Sequence, residues 1–488
     1  MLESTVFSLL QGTAIIDVPG RGVALRSFHL DITLGKLTPE LMSALQVLRS
    51  GGAPIAQLLN AVSTGGGAIA LAGFYKMFRK MDDAGLICQT LLANGQRFAT
   101  RVPSSNIQGI EPVGLEPNTR YALSRFAYCH KEDDLIILES PLSFAKIILH
   151  SWRAVGLLSV LAKPHSLDEI LTAITDTNNE VLEQFVNILL KAGMLSAVAE
   201  DGSLSEDKNS AVTQWEFQDL LFHARSREGR HRNRYGRVTR SVNLSLALPS
   251  VKPQVSDDVI QLYCPDIGEL EKQDSPFTAV LEKRVSVRGH GKTPITDKQL
   301  GGFLYRVAGV RSSEATDEGG FSRRPYPSGG ACYELELYLA INNCQKIHPG
   351  MYHYDPYEHK LRKLSVSAKN IKALSARASR SGHWPTNEVP QVLIIITARV
   401  QRPFHRYGAM AYALVLKNLG GLYQTMYLVA TAMQLAPCAL GGGDSDLFAR
   451  ATGLDYYAEP SVGEFLLGSK PETEQPSVSD RALRLSHL

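Results

Sequence analysis

Apolar residues recur at helical spacing in two related stretches of the N-terminal half. Pro54-Ile-Ala-Gln-Leu-Leu-Asn-Ala-Val62 and Ser166-Leu-Asp-Glu-Ile-Leu-Thr-Ala-Ile174 carry apolar residues at matching places. Each leads into a second helical pattern, ending at Ala84-Gly85-Leu86 and at Ala192-Gly193-Met194, where glycine suits a left-handed C-cap. Strand-like segments then start at Leu86-Ile87-Cys88 and Met194-Leu195-Ser196. Helices followed by a β-wing is the order of a winged helix, so the pattern predicts two such modules.

Glu200 to Ser210 is polar and aperiodic and reads as a loop or linker. Trp215, Leu220 or Leu221 and Phe222 are spaced as the apolar face of a helix. An irregular region with Pro249, Pro253, Pro265 and Pro276 follows, and then strand-forming runs appear. Leu335, Leu337, Leu339 and Ile341 alternate with Glu336, Tyr338 and Ala340, which predicts a half-buried strand. Gly350 to Pro356 and Lys360 to Leu364 add a hairpin pair. Gln391-Val-Leu-Ile-Ile-Ile-Thr-Ala398 reads as a strand buried on both faces. Val415, Leu419, Leu422, Met426, Val429 and Met433 form the inner stripe of a long helix.

The 488-residue length calls for several domains of roughly 100–200 residues. Hydrophobic residues at 44% and charged residues at 20% are globular proportions. A net charge of +3 argues against a nucleic-acid coat. Locally, the Asn178 to Lys191 helix carries Glu180 and Glu183, which would repel phosphates, and Asp82 and Asp83 offset Lys76, Arg79 and Lys80. A winged helix can instead present a sheet edge or groove to an extended peptide. Six arginines lie between Arg225 and Arg237, either as a solvated basic surface or as an anion-contacting strip. Six dispersed cysteines without a CxxC disfavour a disulfide scaffold or zinc ribbon. The N-terminus lacks the basic region of a signal peptide. The most apolar long helix is interrupted by Lys417 and Asn418, so the expectation is a cytoplasmic protein without a membrane span.

Four segments carry candidate chemistry. In Leu281-Glu-Lys-Arg-Val-Ser-Val-Arg288, Arg284, Ser286 and Arg288 alternate, and two guanidinium forks with a hydroxyl can grip a phosphate monoester. In Arg323-Arg-Pro-Tyr-Pro-Ser-Gly-Gly330, the prolines enforce an extended approach and the glycines free a turn beside a flat ring. The third is Phe404-His-Arg-Tyr-Gly408, leading into the long helix. The fourth is Leu440-Gly-Gly-Gly-Asp444, three glycines that permit close ligand approach without being GxGxxG or a P-loop.

Taken in order, Arg284-x-Ser-x-Arg288, Arg324-x-Tyr-Pro-Ser-Gly-Gly330, Gly350-Met-Tyr-His-Tyr-Asp355, Arg406-Tyr-Gly408 and Leu440-Gly-Gly-Gly443 resemble the nitroreductase-like flavoproteins. The closest resemblance is to their SagB-type branch, FMN-dependent dehydrogenases that convert azolines to azoles in ribosomal peptide natural products. The N-terminal half looks like the long, ThcOx-like members acting on cyanobactin-type peptides. The resemblance implies an α+β fold: winged-helix-like domains at 1–110 and 111–200, a connecting segment at 201–274 and an FMN domain at 275–488.

It further implies that Arg284, Ser286 and Arg288 hold the FMN phosphate and ribityl region. Pro327, Ser328 and Gly329 would line the isoalloxazine, usually from the partner subunit of a homodimer, and Gly441 and Gly442 would approach its pyrimidine edge. Azole-forming enzymes commonly have a Lys-Tyr pair where this chain has Arg406 and Tyr407. Arginine stays charged, so Tyr407 is the candidate for proton transfer, while Arg406 positions substrate or stabilises charge on Tyr407. The expected partner is an azoline-containing precursor peptide, with molecular oxygen as electron acceptor. Two other functions stay open here: an NAD(P)H-dependent reductase of nitro or quinone compounds, and a non-catalytic leader-peptide-binding scaffold.

Overall fold

The computed structural model describes residues 4–27, 30–104, 115–116, 118–174, 177–232, 248–314, 320–384 and 388–472. The expected Arg-rich strip from residue 233 onward, with Arg234 and Arg237, lies outside them. The chain divides into two compact units, Met1–Tyr235 and Gly236–Leu488.

The first unit is built on a seven-stranded antiparallel sheet. Its order is Ala53–Pro54, Thr5–Leu9, Ile87–Ala93, Gln96–Pro103, Ala145–Leu149, Leu135–Glu139 and Tyr128–Glu132, so strands from both sides of residue 110 share one sheet. Both copies of the repeat hold two helical segments. In the first, Ile55–Asp83 is interrupted at Gly67, whose φ of 59° and ψ of −153° are not helical, and the second has Leu167–Ala173 and Asn179–Lys191. Gly85 and Gly193 both take φ of 65°, the left-handed conformation expected after each helix.

Two sequence expectations for this unit need correction. Ile55–Asp83, not the later Lys417-interrupted helix, is the one described helix long and apolar enough in composition to cross a membrane. Its Leu58, Val62, Phe74, Met77 and Met81 are buried in the core of this unit. Second, the Trp215–Phe222 face is not the packed one. The helix starts at Phe217, Trp215 and Phe222 are exposed, and Phe217 packs edge-on against Tyr128.

Three of the arginines that follow bond to the protein itself. Arg225 pairs with Glu139 at 2.8 Å, Arg230 donates to the Pro141 and Leu142 carbonyls, and Arg232 donates to the Gly85 carbonyl. The polar stretch before them also makes specific contacts: Glu206 is buried and accepts the Arg125 amide hydrogen at 2.8 Å.

The second unit contains a second seven-stranded sheet. Its strands are β1 (Val259–Gln261), β2 (Leu335–Ile341), β3 (Gly350–Asp355), β4 (Lys360–Leu364), β5 (Val392–Ala398), β6 (Leu435–Leu440) and β7 (Ser461–Ser469). They run in the order β1-β4-β3-β2-β5-β7-β6, every neighbouring pair antiparallel. The principal helices are α1 (Phe277–Lys283), α2 (Asp297–Ala308), α3 (Ala368–Ser381), α4 (Gln401–Arg406), α5 (Ala411–Ala432) and α6 (Ser445–Thr452). One sheet face packs on α2 and α5 through Phe303, Leu304, Val415, Leu422 and Met426. The other packs on α3 and α6 through Leu374, Ala378 and Phe448. Helices on both faces of a mixed-order sheet make this unit α+β.

β5 is buried on both faces, as its β-branched run predicts. β2 is not half-buried: all seven of its residues are buried. Its polar positions meet polar partners instead of water. His353 and Arg399 both contact the Glu336 carboxylate, and Tyr338 donates to Glu459, which also accepts from Thr397. Burial pushes the Glu336 carboxyl up, but the His353 contact and the nearby arginine charges outweigh it and hold it at about 2.

Candidate functional site

Arg284 is the C-cap of α1, and the extended backbone after it runs beside edge strand β6, where the Val287 amide hydrogen reaches the Pro437 carbonyl at 2.8 Å. Proline suits this edge because its missing N–H breaks no ladder. Ser286 and Tyr427 of α5 share a 2.7 Å hydrogen bond between hydroxyls, and the Tyr427 oxygen accepts the Ala439 amide hydrogen at 2.8 Å. The Arg284 guanidinium lies over the Tyr427 ring at 5.3 Å. Among the described residues neither Arg284 nor Arg288 is paired with a carboxylate, so both charges remain for an anion.

The Pro327-Ser328-Gly329-Gly330 turn meets the first half of α5. Asn418 is the hub: its Oδ1 accepts the Gly329 amide hydrogen at 2.9 Å, and its Nδ2 donates to Glu334 at 2.8 Å and to Ser328 at 3.2 Å. Ser328 donates to the other Glu334 oxygen and accepts the Tyr333 amide hydrogen. Two buried arginines brace the flanks. Arg324 donates to the Leu335 and Ser250 carbonyls, and Arg402 to those of Cys332, Leu248 and Gly320. Burial lowers Arg402 to about 10, since carbonyls rather than carboxylates satisfy it.

Arg406 and Tyr407, at the end of α4, close on the same turn. Arg406 Nη1 donates to the Gly330 carbonyl at 2.9 Å, and its guanidinium stacks over Phe321 at 4.5 Å. Gly330 has φ of 61°, and a Cβ there would fall 2.2 Å from the Tyr407 hydroxyl. The structure thus unites Pro327, Ser328, Gly329, Arg406 and Tyr407. Arg284 and Ser286 meet α5 farther along, at Tyr427; Asn418 and Tyr427 are nine residues apart, about 14 Å along the helix.

Gly441 to Gly443 leave β6 and lead into α6. A Cβ on Gly441 would meet nothing within 4 Å, and one on Gly442 only Ser381 at 3.5 Å. Gly443 differs, because the Glu464 carboxylate lies 2.7 Å from its Cβ position. A cavity of about 480 Å³ opens beside this turn, lined in part by Arg380, Ser381, Gly442, Gly443 and Tyr456. Open space at Gly441 and two arginines on the neighbouring segment, without a carboxylate partner among the described residues, fit a flat ring carrying a phosphate. The residues present therefore suit FMN.

Sequence reasoning passed over Asn418, Glu334, Tyr427 and Glu464. A usable signal existed for one of them: Asn418 is a buried polar residue within the apolar surface of α5.

Comparison with known proteins supplies the lineage. The nitroreductase family model matches residues 281–468, and the model for cyanobactin oxidase ThcOx matches residues 121–232. MJ1384 of Methanocaldococcus jannaschii, named as a nitroreductase, is 31% identical over 185 residues, covering 38% of this chain and 85% of that protein. The microcin B17-processing protein McbC of Escherichia coli is 29% identical over 140 residues, covering 28% of this chain and 50% of McbC. The trifolitoxin-processing protein TfxB of Rhizobium leguminosarum bv. trifolii is 24% identical over 189 residues, covering 37% of this chain and 50% of TfxB. The matches thus span half the length of McbC and of TfxB. Among solved structures, a chain of the E. coli microcin synthetase McbBCD complex with truncated pro-MccB17 bound is 18% identical, with a TM-score of 0.33, covering 57% of this chain and 100% of that chain. With its second unit matched along these motifs and its first carrying the ThcOx segment, the chain belongs to the nitroreductase family, in the group related to peptide-processing proteins.

Proposed function

We propose that this chain is an FMN-dependent oxidase that converts thiazoline or oxazoline rings of a ribosomally made peptide to thiazoles or oxazoles. The observation that carries the reading is the convergence of Tyr407 and Arg406 on the Gly330 turn, within a unit whose Arg284 and Arg288 have no carboxylate partner among the described residues. The ThcOx segment and the kinship with McbC and TfxB support a peptide as substrate.

FMN, when bound, supplies the two-electron acceptor. Arg284 and Arg288 would hold its phosphate, Ser286 would serve the ribityl chain, and Gly441 and Gly442 would leave room for the ring. Tyr407, as its phenolate, takes the acidic α-proton of the azoline, while the neighbouring ring carbon gives up a hydride to that acceptor. Arg406 fixes the Gly330 carbonyl and so keeps Tyr407 and the turn in register. Asn418 and Glu334 preorganise the turn from behind. Molecular oxygen would be the terminal electron acceptor, with peroxide as the product. The working form is a homodimer, because the turn is expected to serve the flavin of the partner subunit.

Incubating the FMN-loaded protein with an azoline-containing peptide tests this reading by mass spectrometry. The expected result is loss of two hydrogens per ring. Unchanged peptide mass alongside rapid NADPH-driven reduction of nitro or quinone compounds would replace it with the reductase reading.

A further inference from the structure

Glu464 is a buried carboxyl that none of these roles employs. It is 4% exposed and stands opposite Leu440 in the β6–β7 register, the last pair before the three glycines. Phe465 and Leu467 belong to the core against α5, and Leu466 to the core against α3 and α6. Alternation along β7 therefore points Glu464 to the α3–α6 side, beneath the glycine turn. Its oxygen lies 2.7 Å from the Cβ position of Gly443, in space that only glycine leaves open.

The groups around it leave its charge uncompensated. On α3, Arg377 pairs with Asp444, and on α6, Asp446 pairs with Arg450. Arg380 and Tyr456 line the cavity beside the turn. From α5, the Tyr423 hydroxyl is engaged with the backbone of Glu464 and the Leu440 carbonyl. On the same sheet face, Glu459 is bonded to Tyr338, Thr397 and Lys252. Among the described residues no side chain donates to the Glu464 carboxylate. Burial moves this carboxyl up to about 7, which puts its proton exchange in the neutral range.

A carboxyl so placed faces whatever lies on the outer side of Gly441–Gly443. Ala439, whose amide is tied through Tyr427 to Ser286, is four residues from Gly443. That separation spans at most about 13 Å of extended chain, so one ligand can reach from Ser286 to the turn. We propose that Glu464 is a positioning residue for FMN at this turn, its carboxyl taking up a proton from solvent when two-electron reduction places negative charge on the other side of the glycines. The two electrons come from the azoline in turnover, and the proton added to Glu464 offsets the charge they bring. This inference rests on the reading under Proposed function.

The test is the pH dependence of the bound flavin's midpoint potential, measured by dye equilibration with dithionite as reductant in the FMN-loaded protein. Between pH 6 and 8, wild type should take up more protons per two electrons than Glu464→Gln, which loses the additional uptake. In parallel, a reduced-minus-oxidised infrared difference spectrum should show a protonated-carboxyl band in wild type and in Glu464→Asp that vanishes in Glu464→Gln. Equal proton uptake and an unchanged difference spectrum in a flavin-loaded Glu464→Gln protein would overturn this inference alone. Wild-type protein that binds no FMN would overturn the oxidase reading, and this inference with it.

Discussion

The phenol of Tyr407 occupies the space that a side chain on Gly330 would need. A Cβ there would lie 2.2 Å from the Tyr407 hydroxyl and 3.1 Å from Cζ, and Gly330 has φ of 61°. Backbone conformation and close approach thus demand glycine independently. Gly330→Ala should cost about 1–2 kcal/mol from the left-handed backbone alone. It should also displace Tyr407 and lower azoline turnover on the order of 100-fold, as small misplacements at reacting groups do. Adding Tyr407→Phe should relieve the clash and recover part of the lost stability but not turnover. Wild-type turnover in Gly330→Ala would separate the turn from the chemistry.

The tyrosine and its neighbour should fail differently. Tyr407→Phe removes the proposed proton acceptor, so turnover should fall by about 10²–10⁴-fold while FMN stays bound. Arg406 acts through the Gly330 carbonyl and its stack on Phe321. Arg406→Lys keeps a donor but loses the planar stack, so it should retain more turnover than Arg406→Ala. Stopped-flow reduction of bound flavin by an azoline peptide would resolve the order. Equal losses in the two Arg406 variants would mean that its bond to the turn contributes nothing.

Asn418 should be the costliest of the supporting residues. It is buried and serves Gly329, Ser328 and Glu334 together, so Asn418→Leu strands a carboxylate and an amide hydrogen. Each unsatisfied buried group costs about 1–3 kcal/mol. Denaturant unfolding should show destabilisation in that range or above, with weaker FMN retention. Unchanged stability would mean that solvent replaces the asparagine at the turn.

The same residues explain what the sequence could reveal. β5 was legible because a β-branched apolar run is buried whatever surrounds it. β2 misleads because Leu–Glu alternation looks the same whether the polar side meets water or a buried partner. Its Glu336 is satisfied by His353 and Arg399, 17 and 63 residues away. Asn418 stood out as a polar residue in an apolar helix, but its meaning lay in Gly329, 89 residues earlier. Among Arg225, Arg230 and Arg232, composition showed the charge but not the carbonyls and carboxylate that use it. By contrast, the Arg284, Gly330 and Gly441 segments can be singled out in the sequence because each is contiguous, and their order along the chain carries the family resemblance.

Arg284 should govern cofactor retention more than chemistry. Its guanidinium lies over Tyr427, and among the described residues it has no carboxylate partner. A charge-assisted bond to phosphate contributes about 1.5–3 kcal/mol, so Arg284→Ala should weaken FMN binding by roughly 10- to 100-fold. Fluorescence titration of FMN into stripped protein measures this directly. An unchanged dissociation constant would remove Arg284 from the phosphate site.

Glu464 makes stability depend on pH in a direction that can be worked out. Burial raises its carboxyl from the ordinary 4.5 to about 7 in the folded chain. Between those values the native state holds more protons than the unfolded state, so stability falls as pH rises. Below about pH 4.5 both states are protonated and this contribution vanishes. Above pH 7 the folded chain carries the full cost of a buried carboxylate, on the order of 3 kcal/mol. Glu464→Gln removes the titration while keeping the shape. The stability difference between the variant and wild type should therefore move in the variant's favour from pH 5 to pH 8. Denaturant unfolding of FMN-free protein at both pH values checks this, and a difference that stays constant would place the Glu464 carboxyl in contact with solvent.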